Sequence, residues 1–139
     1  MIKEFIDAWE KNKGTLEGYF RTHIQEEYSE YSTLVKLLFD IVINPSVSKY
    51  DTNDIDVLDH GDWQGTQIFI LHLDTYHPCA SEYVYTHTYY GSCSGCDTLQ
   101  AIHLYGYDKL PNDYQINDYM ALCLHLLQRC KRMYSEEED

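Results

Sequence analysis

Positive charge is scarce in this chain: 10 Lys and Arg stand against 23 Asp and Glu, a formal net charge of −13. Phosphate contacts need a cationic face, so neither nucleic acid nor an anionic membrane surface is the expected partner. The charge instead suits a partner with a basic surface, or simply keeps the chain soluble. No apolar run approaches the ~20 residues that span a bilayer. Met1 opens an amphipathic stretch containing Lys3, Glu4 and Asp7, which does not read as a secretory leader, so a cytoplasmic location is expected. Five cysteines make an odd set, better suited to reduced thiols than to a disulfide framework. A Gly-rich phosphate loop, a nucleophile elbow and a histidine–zinc helix motif are all missing.

What is present is enough for a core. The chain has 139 residues, 44% of them hydrophobic, with 14 tyrosines, which predicts one folded domain over 1–139. Ile2, Phe5, Ile6 and Trp9 have helical spacing, with Asn12-Lys13-Gly14 as a stop and Thr15 as the next N-cap. Leu16, Tyr19, Phe20, His23 and Ile24 carry a second stripe. Tyr31, Leu34, Val35, Leu38, Phe39 and Val42 carry a third, with a break expected near Ser29 or Ser32. Asn44-Pro45 ends the helical section, because the residue before proline is pushed out of the α region. Residues 46–54 read as a polar connection.

Strands come next. Ile55 to Leu58 reads as a short edge strand. Thr66 to Leu73 is β-branched, aromatic and almost continuously apolar, which predicts a central strand covered on both faces. Glu82 to Tyr90 follows, joined to it as an antiparallel hairpin through Asp74 to Ser81. Asp97 to Tyr105 reads as a short helix ended by Gly106, with Ser94/Asp97 or Asp97/Gln100 at capping-box spacing. Asn112 and Gln115 have the same spacing ahead of a long last helix, whose seam is Ile116, Met120, Cys123, Leu127, Cys130 and Tyr134. Residues 135–139 form an acidic tail expected to fray. The expected class is α+β: N-terminal helices, a three-stranded antiparallel meander and two C-terminal helices.

The candidate site is the corner Tyr90-Gly91-Ser92-Cys93-Ser94-Gly95-Cys96-Asp97. A C-x2-C pair can clamp a tetrahedral zinc ion. It can equally form a small disulfide ring, with Cys93 as nucleophile and Cys96 as resolving thiol. A third use is purely structural, two small residues filling a tight strand-to-helix turn. Neither a second C-x2-C pair nor an H-x3-H pair exists to complete a zinc motif, so other ligands must come from the fold. A nine-residue strand is ~30 Å long at roughly 3.3 Å per residue, which puts His77 and Cys79 at the far end from Cys93. Antiparallel pairing instead brings Asp59-His60-Gly61-Asp62 to the corner, unless that stretch is an ordinary polar turn. The expected zinc set is therefore Cys93, Cys96 and His60, with Asp62 or water as the fourth ligand. Among weaker candidates, His72 and His87 are expected to face each other across the hairpin. Tyr83, Tyr85, His87 and Tyr89 alternate onto one face, either packed under a helix or open as a stacking wall. Cys123 and Cys130 suit buried core positions better than reactive ones.

This corner, preceded by Asp62-Trp63-Gln64-Gly65, resembles a segment pair in small uncharacterised phage and bacterial proteins, over roughly residues 60–105. The resemblance implies a phage or bacterial origin and hence the host cytoplasm. It also implies, by analogy, a binder of a host protein, such as an inhibitor of a defence system. The expected function is non-enzymatic binding of a host protein with a basic surface. Its rivals are a thiol-disulfide oxidoreductase using Cys93 and Cys96, and a protein that sequesters a small planar ligand on the tyrosine row. No βαβ pattern surrounds the cysteines, which weighs against the oxidoreductase.

Overall fold

The computed structural model describes residues 1–26, 30–92, 97–103 and 109–134. The elements are α1 (Lys3–Thr22), α2 (Tyr31–Leu37) running into a π-helical segment (Leu38–Ile43), β1 (Asp56–Gly61), β2 (Gly65–His72), β3 (Tyr83–Tyr90), α3 (Thr98–His103), α4 (Asp113–Gln128) and β4 (Lys131–Arg132). This is a mixed α+β fold with a four-stranded antiparallel sheet in the order β1-β2-β3-β4.

Asn12-Lys13-Gly14 does not stop the first helix; α1 runs through it as one piece. Phe5, Trp9, Leu16 and Phe20 stay in phase on one buried stripe, and that burial outweighs the helix cost of two exposed glycines. Asn12 is used as a clasp, its amide donating to the Val42 carbonyl and to Ser46 Oγ, both at 2.8 Å. The π-helical winding keeps Leu38, Phe39, Val42 and Ile43 all fully buried, and the Asn44 N–H closes it by donating to the Phe39 carbonyl at 2.8 Å.

The meander is longer than expected by one strand. The last helix ends at Gln128, and Lys131 and Arg132 pair with Tyr85 and Val84 on the outer edge of β3. Tyr134 therefore leaves the expected seam and is exposed, while Cys123, Leu127 and Cys130 are buried as read. A two-residue strand is too short to announce itself by alternation. β1 also extends further than its apolar part, through Asp59, His60 and Gly61, so only Asp62, Trp63 and Gln64 make the turn. Gly61 has a φ of 150°, and a Cβ there would collide with the Gln64 carbonyl; one on Gly65 would meet the His60 carbonyl.

Among the described residues, the helices that bury the sheet lie on one side. Phe69, Leu71, Val84, Thr86 and Thr88 face them, and the Thr86 hydroxyl donates to the Leu126 carbonyl at 2.6 Å. The opposite residues of β2 are only half-buried, so the expectation of two covered faces fails for this strand. β1 and β2 join by a short turn, which leaves no chain for a crossover helix on the far side. The buried residues otherwise form one continuous cluster, from Ile2 to Cys130. Among the described residues, no helix is long and apolar enough to cross a membrane.

Candidate functional site

The strand register fixes where each candidate residue stands. Gly65 pairs with Tyr90 and Thr66 with Tyr89, while His60 pairs with Thr66 on the other side. His60 is therefore at the Tyr90 end of the sheet, and His77 and Cys79 are at the opposite, β2–β3 loop end, as the hairpin argument requires. His60 is exposed and shares the open face with Thr66 and Tyr89; Asp62 is exposed in the β1–β2 turn. Cys93 and Cys96 lie outside the described residues, as do Ser29, the Gly106 helix end and the 135–139 tail.

The two ends of the cysteine corner are held by Asp97, which is 4% exposed. Its Oδ2 accepts from the Gly91 N–H at 3.0 Å; its Oδ1 accepts from the Gln100 N–H at 3.0 Å and from the Tyr31 hydroxyl at 3.1 Å. Tyr31 in turn accepts from the Leu99 N–H at 3.2 Å. Burial, with the Asp97 charge beside it, pushes the Tyr31 hydroxyl up to about 12. Of the two capping arrangements open at this point, the Asp97 side chain adopts the bond to Gln100, one half of a capping box. One carboxylate thus ties β3, α3 and α2 together.

The face away from the helices carries Tyr83, Tyr85, His87 and Tyr89 in the alternation expected. Among the described residues no helix covers it. Across the strands the rungs read Leu58–Ile68–His87, Asp56–Ile70–Tyr85–Lys131 and His72–Tyr83. His72 and His87 thus do not face each other, because the register offsets them along the hairpin. His72 packs its ring on Tyr83 at 5.4 Å, and His87 meets Tyr89 edge-on at 5.6 Å. Burial, together with the Arg129 and Lys131 charges, holds His87 below its ordinary pKa. Arg129 donates to the His87 carbonyl at 3.4 Å and lies 5.9 Å from the centre of the Tyr89 ring.

The β1 edge is acidic and exposed along its whole length. Asp59 accepts from the Tyr90 hydroxyl at 2.5 Å and from the Gln67 amide at 3.2 Å. Those bonds, Tyr90 first, hold its carboxyl below the usual range, and the same bond pushes Tyr90 up to about 12. Trp63, at the tip of the β1–β2 turn, is 81% exposed. Cys123 and Cys130 are fully buried, and desolvation pushes both thiols up to about 12, so neither is a nucleophile at neutral pH.

One grouping went unread in the sequence. Asp51, Asp54 and His72 bring one ligand atom each to within 4.8 Å of one another. His72 Nε2 is 2.9 Å from Asp54 Oδ2, and its Nδ1 is 2.8 Å from the Leu73 carbonyl. The Asp54 bond, with the Leu73 carbonyl second, raises the His72 pKa. Residues 46–54 look like a plain connection because nothing local marks Asp51 and Asp54; only the return of β2 beside them supplies the histidine.

The fold and its exposed hairpin define a small α+β protein in which one sheet face is covered by no helix among the described residues. Comparison with family models, with curated proteins and with solved structures found no match for the chain.

Proposed function

We propose that this protein is a non-enzymatic binder of a basic polypeptide, which docks along the free edge of β1 with Trp63 as its anchor. The observation that carries the reading is the β1–β2 hairpin itself: a strand edge unpaired among the described residues, exposed along β1, ending in an exposed tryptophan. An open edge can accept a further strand through its backbone groups. Asp54, Asp56, Asp59 and Asp62 line it with negative charge, so the complementary segment is rich in Lys or Arg. Leu58, Ile68 and Tyr85 behind the edge offer apolar contact for alternate side chains of that segment. The resemblance of residues 60–105 to phage and bacterial proteins favours a host protein as the partner, with inhibition as the outcome of occupying its surface.

The test compares wild type with W63A and with D56K/D62K as baits in host lysate. A basic protein should be retained by wild type and lost by about tenfold or more with either variant, as for a central aromatic anchor and for reversed rim charge. Its association rate should also fall as salt shortens the screening length to about 8–10 Å. Recovery that is indifferent to both variants, or a rate indifferent to salt, overturns the reading.

A further inference from the structure

We propose that Asp51, Asp54 and His72 form a binding site for one divalent transition-metal ion of the zinc type, with water completing its coordination. An imidazole nitrogen and two carboxylates suit zinc-like ions, and two carboxylates balance the charge of the ion. The ring is oriented for it: Nδ1 is directed at the Leu73 carbonyl, so Nε2 is the atom turned toward the acids. A backbone carbonyl in that position is the usual outer partner of a metal-bound histidine, and it fixes which nitrogen carries the lone pair.

The loop bearing the acids is anchored from both sides. Tyr50 bridges to Leu73, the Asp51 N–H donates to the His72 carbonyl at 2.9 Å, and Asn44 brackets Tyr50 with two bonds of 3.0 Å. On the other side the Thr52 hydroxyl donates to Asp40 at 2.6 Å, and Lys36 donates to Asn53 at 3.3 Å. The site therefore needs little reorganisation. Ligand atoms bonded to one tetrahedral ion at about 2.0–2.1 Å stand about 3.4 Å apart. The 2.9 Å His72–Asp54 separation must open slightly, and Asp54, 65% exposed, can rotate to allow it. The ion would staple the loop that leads into β1 to the end of β2. This holds whether or not β1 binds a polypeptide.

The experiment is a titration of the tag-free, reduced full chain with zinc ion, following the ring nitrogens of the histidines by NMR, with H72Q used to assign His72. His72 Nε2 should move to a metal-bound position and saturate at one equivalent. D54N and D51N should each weaken that binding by about tenfold or more. D54N changes an exposed side chain, so loss of folding is not a rival explanation, and unchanged dispersion of the other amide signals verifies it. If His72 does not respond to zinc, or responds equally in D54N and D51N, the site is refuted.

Discussion

Asp97 joins three segments through one side chain, because its buried carboxylate accepts from Gly91, Gln100 and Tyr31 at once. Removing it orphans three donors, so Asp97→Ala should lower unfolding free energy by about 3 kcal/mol or more. Tyr31→Phe, which loses one donated and one accepted bond, should cost about 1–2 kcal/mol by the same accounting. Urea unfolding of the two variants measures both; costs under about 0.5 kcal/mol would show that the corner is not held by this carboxylate. His87 supplies a pH dependence. Its folded pKa lies below the ordinary 6.5, through burial and the facing Arg129 and Lys131, so the unfolded chain binds its proton more readily. The resulting stability is present above pH 6.5 and is lost as pH falls through the folded pKa. His87→Gln should flatten the stability profile in that window, read by thermal unfolding at stepped pH; an unchanged slope would assign it to other groups. At this scale the sequence was legible where partners are close along the chain. Asn112 and Gln115 cap each other as their spacing implies, at 2.8 and 2.9 Å. The Asp51, Asp54 and His72 grouping was not legible, since a strand return brings its members together.

Elements were legible in proportion to their length and period. The two long strands and their antiparallel pairing follow from one almost continuous β-branched and aromatic run, one alternating run and a turn-rich loop between them. The helical section does end at Ile43, next to Pro45, but Asn44 keeps αR angles (φ −59°, ψ −38°) and is not pushed out of the α region. The failures share one cause, local signals overruled by packing. Gly14 reads as a stop, yet burial of Phe5, Trp9, Leu16 and Phe20 carries α1 past it. β4 exists only because β3 offers it an edge. A consequence can be measured in α1, where nothing lies within 4 Å of a Cβ placed on Gly14 or Gly18. Each Gly→Ala change should stabilise the protein by about 0.5–1 kcal/mol, by restricting the unfolded chain and favouring the helix. Thermal unfolding should show a rise of a few degrees for the double variant; a fall would mean that the glycines are needed for a bend or a partner.

For the whole molecule, the arrangement is a one-sided sandwich of helices on a four-stranded sheet. Which face would be covered was not legible, because β2 is apolar on both sides and the choice depends on where the helices return. The outcome leaves the tyrosine row without a helix over it among the described residues and exposes the β1–β2 hairpin, with its acids and Trp63. Binding through that hairpin is the account's central claim, and amide hydrogen exchange tests it most directly. With the captured basic partner bound, Asp56–Gly61 should become strongly protected and the Trp63 emission should shift, while exchange in α1 and α4 stays as in the free protein. Protection confined to the helices, with β1 exchanging as fast as before, would contradict it.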